Sequence, residues 1–267
     1  MKKIISNILF VIGIVICMTP VILNIFSRNE QKGIINSYKQ QVSTMDSDEI
    51  EKELEKAQLY NEYQYEMQQG NKPEEEPNYD EILAQNDFMC TLSIPKINLE
   101  LPVHHDTSTE VLAKALGHIK GTSLPIGGNN THSFITGHRG LPSSKLFIRL
   151  DELKKDDMFY INLYDETLAY KVVDIQVVEP NETQIMHIED DRDLVSLVTC
   201  TPYGINSHRL IVTGERTEYN VEKEAIHEIK TPSFRELLSC LPLVLCALFI
   251  TDTIIERRKN KWEDFLH

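Results

Sequence analysis

The sequence predicts a mainly-β domain, either a closed barrel or a sandwich, that follows a helical region and lies between two membrane-spanning segments. Short runs of β-forming residues separated by Gly, Pro, Asn and Asp predict the β domain. A helical spacing of apolar residues precedes these runs, and apolar stretches lie near both chain ends. The predicted regions are an N-terminal anchor (1–27), a helical stalk with a loop (28–89), the β domain (90–219), a linker (220–236), and a second span with a basic tail (237–267).

The first membrane segment is the uncharged run from Ile4 to Phe26. At about 1.5 Å per residue, a helix of this length crosses a hydrocarbon core of roughly 30 Å. Lys2 and Lys3 precede the run and, by the positive-inside rule, place the N-terminus in the cytoplasm. A cleaved signal peptide is the alternative, but the run is long for one and no small-x-small cleavage site follows it. We therefore expect an uncleaved anchor.

The second membrane segment is the apolar run from Leu237 to Ile255. The basic cluster "ERRKNK" follows it and marks a cytoplasmic end, whereas a buried core helix, the alternative, rarely ends in such a cluster. The two segments together predict a two-pass protein of the cell membrane, with both termini in the cytoplasm and the region between the segments outside. The net charge of −14 argues against a nucleic-acid partner, which requires a basic surface.

The helical region between the anchor and the β domain runs from Arg28 to about Gly70. Ile35, Tyr38 and Val42 follow a helical spacing. We interpret the region as a solvated stalk of two helices. The stretch "GNKPEEEPNYDE" comes next, and its prolines and acidic residues favour a linker or a functional loop.

Cys200 is the candidate nucleophile. It ends the β-type run "DLVSLVTC" and Arg209 begins the next run, so an antiparallel pairing would bring both to one rim of the sheet. His138 ends the run "HSFITGH", where we expect its side chain to point out of the mouth of the barrel. A thiolate nucleophile needs a base or a cation beside it and a donor for the oxyanion, and imidazole and guanidinium can supply them.

Other interpretations of these residues stay open. A lone cysteine is more often buried core than catalyst. Cys90 is the other cysteine of the exterior region, and a disulfide between it and Cys200 would remove the nucleophile. A zinc site with His132, His138 and Cys200 is disfavoured, because six residues of strand separate the histidines by about 20 Å. We predict no metal and no cofactor.

At these residues the sequence resembles the sortases, the cysteine transpeptidases of Gram-positive cell surfaces. The stretches "HSFITGHRG" and "LVTCTPYGINSHRLIVTGER" carry the resemblance, which covers about Cys90 to Arg216. The stretch "TPYGINSHRL", with the predicted C-terminal span, is similar to the class C, pilus-assembling branch. The resemblance implies a closed eight-stranded β-barrel with short helices, which agrees with the number of predicted strands.

The resemblance also implies a role for each residue. Cys200 would attack the Thr–Gly bond of an LPxTG-like sorting signal and form an acyl-enzyme. His138 would protonate the leaving amine and deprotonate the incoming one, and Arg209 would position the substrate and stabilise the oxyanion. Thr199 resembles a family position near the substrate and is a candidate binding residue. The incoming nucleophile would be a lysine amine of another pilin subunit, and the chemistry requires no metal.

The sequence departs from the class C pattern in one place. Class C members commonly carry an Asp-Pro-aromatic lid before the barrel, and this tripeptide is absent here. The nearest stretch is "EPNYD", at 76–80. Our hypothesis is that Glu76 pairs with Arg209 and that the ring of Tyr79 covers Cys200. A solvated acidic linker is the alternative.

Two other functions compete with pilin assembly. A housekeeping sortase would attach surface proteins to cell-wall peptide amines, but the long N-terminal region and the C-terminal span argue against it. A non-catalytic surface scaffold would only bind pilin tails, and the complete set of His138, Cys200 and Arg209 argues against that. The sequence therefore predicts a membrane-anchored transpeptidase that joins LPxTG-bearing pilins.

Overall fold

The strands of the protein form a closed barrel. The computed structural model describes residues 2–84, 88–139, 146–220, 250–251 and 255. The helices of these residues are α1 (Lys2–Val42), α2 (Ser47–Gln68) and α3 (Thr109–Leu112). The strands are β1 (Phe88–Ile94), β2 (Leu99–His104), β3 (Leu116–His118), β4 (Thr131–Thr136), β5 (Met158–Leu163), β6 (Glu166–Val178), β7 (Asp193–Thr201) and β8 (His208–Thr217). Their order around the barrel is β1-β2-β3-β4-β7-β8-β6-β5, and β5 pairs again with β1, which confirms the predicted barrel.

The alternation of side chains along the strands separates the core of the barrel from its outer wall. In β7, Leu197 belongs to the main hydrophobic core, whereas the next residue, Val198, belongs to a smaller cluster. Neighbouring residues of a strand point to opposite faces, so the main core fills the barrel and the smaller cluster lies on its outer wall. The buried members of the outer cluster are Phe134, Val178, Val198 and Ile211.

Two strand pairings bring distant parts of the chain to one end of the barrel. β4 runs parallel to β7, with Thr136 opposite Val198. β7 runs antiparallel to β8, with Cys200 opposite Arg209. The carboxyl ends of parallel strands meet at the same edge of a sheet. The ends of β4 and β7 and the beginning of β8 therefore lie together.

The second half of α1 and the whole of α2 pack against the barrel, within one compact unit of residues 23–230. Tyr38 of α1 lies against Phe88, with ring centroids 4.7 Å apart. In α2, the side-chain amide of Asn61 donates to the carbonyl of Leu124 (3.1 Å) and accepts from its N–H (2.6 Å). These contacts differ from the predicted solvated stalk, because the apolar stripe of each helix is a face that docks on the barrel.

The membrane segments stay predictions from the sequence. Within the described part of the chain, no helix is both long and apolar enough to span a membrane. The N-terminal segment falls within α1. The C-terminal segment, 237–255, lies outside the described residues except at positions 250, 251 and 255.

Candidate active site

Cys200 lies at the end of β7, on the outer wall of the barrel. It is two residues beyond Val198, a member of the outer cluster, and therefore shares its face. Its side chain is half-buried. Cys200 and Cys90 are both free thiols, so the disulfide alternative does not hold in this structure.

Arg209 is the residue directly opposite Cys200 on β8. Residues opposite one another in an antiparallel pair project from the same face, with Cα atoms about 4.5–5.5 Å apart. The Nη1 atom of Arg209 donates to the carbonyls of Asn206 (3.3 Å) and His208 (3.2 Å). The connection between β7 and β8 thus holds the guanidinium at the end of the strand pair that carries Cys200.

His138 follows the last residue of β4 by two positions. The register of β4 with β7 ends at Thr136 and Val198, and Gly137 N then donates to the Val198 carbonyl (3.1 Å). Side-chain hydrogen bonds from Thr199 to the Gly137 carbonyl (2.7 Å) and from Arg139 to Thr201 (3.0 Å) hold the segment around His138 beside the segment around Cys200. The structure thus brings the segments that carry His138, Cys200 and Arg209 to one end of the barrel.

The face of Cys200 follows from strand alternation: Leu197 faces the core, so Cys200 faces outward. The direction of the His138 side chain stays a prediction from the sequence. Two exposed apolar side chains, Tyr203 (53% exposed) and Ile205 (72%), follow Cys200 in the β7–β8 connection. We missed both in the sequence, although large apolar residues inside a turn are a signal for a binding surface.

Thr199, the candidate substrate-binding residue, is buried in the structure. It is 1% exposed and alternates with Cys200 along β7, so it faces away from the outer wall. Its Oγ1 donates to the carbonyl of Gly137 at 2.7 Å. Thr199 therefore ties β7 to the residue before His138.

Tyr79 also lies elsewhere than the lid hypothesis predicts. Its hydroxyl is 2.8 Å from both the His105 carbonyl and Nδ1 of His118, and its ring packs against Tyr60 with centroids 5.4 Å apart. The residue is 3% exposed. Among the described residues, none of its contacts is with Cys200. Tyr79 is thus a buried anchor of the segment that precedes the barrel.

Glu76, the other proposed lid residue, is exposed. It borders a cavity of about 630 Å³ between α2 and the segment before the barrel. No ion pair between Glu76 and Arg209 occurs within the described ranges. Its position resembles the acidic linker that we considered as the alternative.

His132 is separate from the candidate site. It is buried in β4, where Nδ1 bonds to the His187 carbonyl (2.7 Å) and Nε2 to Ser196 Oγ (2.8 Å). Burial lowers the pKa of His132 to about 4, so the ring is neutral at pH 7. The bonds to His187 and Ser196 occupy both ring nitrogens, so neither is left to bind a metal ion. No group of three or more His, Cys, Asp or Glu side chains in the described segments could hold a metal ion.

Arg139 is a buried residue of the site that we missed in the sequence. Its side chain is only 4% exposed, and Nη2 lies 2.6 Å from a carboxylate oxygen of Asp151. Its Nη1 donates to Oγ1 of Thr201 at 3.0 Å. Arginine is rarely buried unless its charge is paired. A charged residue directly after His138, at the end of a β-type run, was the available signal.

Sequence comparison identifies the domain that carries these residues. A family profile for the sortase domain matches residues 92–217, which include His138, Cys200 and Arg209. Sortase D from Bacillus subtilis is 32% identical over 128 residues, which cover 47% of this chain and 62% of that protein. The chain thus spans about three fifths of the length of this curated relative.

Similar solved structures cover more of the chain. Sortase C1 of GBS pilus island 1 is 38% identical, with a TM-score of 0.66 over 72% of this chain and 94% of that one. A sortase C from Clostridium perfringens, solved with the C-terminal cell wall sorting motif, is 39% identical, with a TM-score of 0.63 over 69% of this chain and 98% of that one. On this profile match, identity and barrel topology, the chain belongs to the sortase family of cysteine transpeptidases.

Proposed function

We propose that this protein cleaves an LPxTG-like sorting signal and transfers it to a lysine amine of another pilin subunit, so that pilins polymerise. The observation that carries the proposal is the strand register, which pairs Cys200 with Arg209 and ends β4 two residues before His138 at the same end of the barrel. A scaffold that only bound pilin tails would need neither a free thiol nor these two partners at this point. The register therefore favours catalysis over binding alone.

The first half-reaction forms an acyl-enzyme. The Cys200 thiolate attacks the carbonyl carbon of the threonine, and the carbonyl oxygen becomes an oxyanion that Arg209 stabilises by charge and hydrogen bonding. The Thr–Gly C–N bond then breaks, and His138 gives a proton to the leaving amine. The products are a thioester on Cys200 and the released C-terminal part of the substrate.

The second half-reaction transfers the acyl group. An incoming lysine amine gives a proton to His138 and attacks the thioester carbon. The C–S bond breaks, and Cys200 returns to its starting state as the new amide bond forms. A position at the end of β7 on the outward face suits this step, because a second protein must approach the thioester with its own lysine.

Pilin as the substrate class is supported by the relatives. One similar structure is a sortase from a pilus island, and another was solved with a cell wall sorting motif. The stretch "TPYGINSHRL" of this chain, which resembles the class C branch, contains Arg209 and the exposed Tyr203 and Ile205. The proposed substrate is therefore the sorting signal of a pilin.

The proposed location is the cell membrane, with the barrel outside. The support is the uncharged run Ile4–Phe26, with Lys2 and Lys3 before it, and the basic cluster near the C-terminus. Protease treatment of intact cells tests this location. Digestion of the barrel without cell lysis agrees with an exterior domain, whereas protection of the barrel contradicts it.

Peptide cleavage tests the activity. We expect the full-length protein to cleave an LPxTG-type peptide, and Cys200→Ala to abolish cleavage because the thioester cannot form. Mass spectrometry should detect the thioester on the wild-type protein. Cys90→Ala is the matched control, since Cys90 is buried in β1 and should leave the cleavage rate unchanged.

The acceptor is tested with two amines. A pilin domain with its lysines intact should form a covalent product with the cleaved peptide, and a cell-wall peptide amine should not. Transfer to the wall peptide alone would contradict pilin polymerisation and favour a housekeeping role. Peptide binding without turnover would contradict the enzyme and favour the scaffold.

A further inference from the structure

The hydrogen-bond ladder between β4 and β7 stops just before the candidate catalytic pair. Its register ends at Thr136 opposite Val198, and one more backbone bond follows, from Gly137 N to the Val198 carbonyl. The carbonyl of His138 then accepts from Phe147 N (3.1 Å) instead of from β7. Another interaction must therefore hold the end of β4 against the end of β7 at this point.

Two side-chain hydrogen bonds continue where the ladder stops. Thr199 and Gly137 come directly before Cys200 and His138 in the chain, and Thr199 Oγ1 donates to the Gly137 carbonyl at 2.7 Å. Thr201 and Arg139 come directly after the same two residues, and Arg139 Nη1 donates to Thr201 Oγ1 at 3.0 Å. The four residues are the chain neighbours of His138 and Cys200, one before and one after each. We call these two bonds the bracket.

The bracket lies behind the reacting groups. Thr199 and Thr201 alternate with Cys200 along β7, so both face away from the outer wall. The hydroxyls of Thr199 and Thr201 bond to the Gly137 carbonyl and to Arg139, respectively. Any effect of the bracket on catalysis must therefore act through the positions of His138 and Cys200.

Arginine suits the second bond for a geometric reason. Its planar fork directs Nη1 to Thr201 and Nη2 to Asp151 at the same time (3.0 Å and 2.6 Å). Asp151 balances the charge of a guanidinium that is almost fully buried, which would otherwise be costly. A lysine has one rotatable ammonium on a flexible stem and cannot hold both directions as firmly.

We infer that Arg139 and Thr201 are positioning residues that, with Thr199, set the separation of the His138 imidazole from the Cys200 sulfur. The inference rests on the proposed function, since it assigns these residues a role in the same reaction. Proton transfer and attack depend steeply on this separation, and a misplacement of about 1 Å can cost as much as 100-fold in rate.

The test compares three variants that change the Arg139–Thr201 bond by small steps. Thr201→Val removes the acceptor oxygen and keeps the side-chain volume, and Thr201→Ser keeps the oxygen. Arg139→Lys keeps the charge beside Asp151 and loses the fork. We expect Thr201→Val and Arg139→Lys to lower kcat for peptide cleavage about tenfold with KM unchanged, and Thr201→Ser to restore the wild-type kcat.

A second measurement needs no substrate and so separates this inference from the proposed function. The pH profile of Cys200 alkylation by iodoacetamide should differ between the wild-type protein and His138→Ala, because the proposed reaction requires the imidazole to lie next to the thiol. We expect the profile of Thr201→Val to move towards that of His138→Ala, and that of Thr201→Ser to stay with the wild type. Far-UV circular dichroism and Tm verify that each variant is folded.

Two results would overturn the inference. One is a folded Thr201→Val variant whose alkylation profile and kcat match those of the wild type. The other is an equal loss in Thr201→Val and Thr201→Ser, which would show that the hydrogen bond is irrelevant. If the wild-type protein cleaves no sorting peptide, the proposed function fails, and the alkylation profiles still decide whether the bracket sets the His138–Cys200 geometry.

Discussion

Cys90 and Cys200 both lie in strands of the barrel and occupy opposite environments. Cys90 is 0% exposed, and burial raises the pKa of its thiol, so its thiolate is disfavoured. Cys200 is half-buried at a strand end that faces outward. Because the thiolate is the reactive form of cysteine, only Cys200 of this pair meets the requirements of a nucleophile.

We predict that iodoacetamide modifies Cys200 and leaves Cys90 unmodified while the protein is folded. The buried thiol should react only after unfolding in denaturant, because the reagent and the thiolate both need access to water. Peptide mass mapping with time gives the two rates. Equal rates at the two positions under native conditions would contradict the assignment of Cys200.

Tyr79 is an aromatic contact between the segment that joins α2 to β1 and the rest of the protein. Tyr79 packs against Tyr60 of α2 and bonds to His105, just after β2, and to His118 of β3. It thus connects a helix to two neighbouring parts of the barrel. An acidic, proline-rich stretch is usually solvated, but this one ends in three buried side chains, Tyr79, Ile82 and Leu83.

We predict that Tyr79→Phe lowers the free energy of unfolding by about 1–3 kcal/mol, because Nδ1 of His118 would lose its partner inside the protein. The alkylation rate of Cys200 should stay unchanged, since Tyr79 does not cover the thiol. Denaturant titration and alkylation kinetics provide the two values.

Tyr63→Phe is the matched control for this variant. Tyr63 lies on α2 and is half-buried, and its hydroxyl has no hydrogen bond among the described residues, so its removal should cost little. Faster alkylation of Cys200 in Tyr79→Phe would revive the lid hypothesis.

At the scale of the whole molecule, closing the barrel buries two histidines in separate places. Burial lowers the pKa of His118 and of His132 to about 4. A histidine in the unfolded chain takes up a proton near pH 6.5. Between these values the unfolded state binds more protons than the folded state, so acid favours unfolding.

We predict that the stabilisation from keeping these rings neutral is fully present above pH 6.5 and is lost as the pH falls from 6.5 to about 4. One pKa unit corresponds to about 1.4 kcal/mol, so each histidine contributes on the order of 3 kcal/mol to this loss. Urea titrations at several pH values measure it.

His118→Gln separates the contribution of one ring. The glutamine amide can still donate to the Ser123 carbonyl, which His118 Nε2 contacts at 2.8 Å, but it cannot be protonated. The variant should therefore lose about half of the pH dependence over this range. The same slope in the wild type and the variant would contradict the assignment of His118.

Part of the fold and of the site could be read from the sequence. Residue types that favour strands, separated by turn formers, predict the β class, and the motifs around His138 and Cys200 predict the eight-stranded barrel. Placing Cys200 and Arg209 on consecutive strands also predicts their pairing, because an antiparallel connection returns the chain to the same end. These are local properties of the chain.

By itself the sequence determined the class of fold, the order of its strands along the chain and the residues that could perform acyl transfer, because these depend on residue type and short-range spacing. Only the tertiary structure decided that the site lies on the outer wall, that Tyr79 is an anchor, and that Arg139 lies behind the candidate pair. Each of these depends on which face of a strand meets the core and on which distant strand becomes its neighbour. Such choices are made when the barrel closes, and no local pattern specifies them.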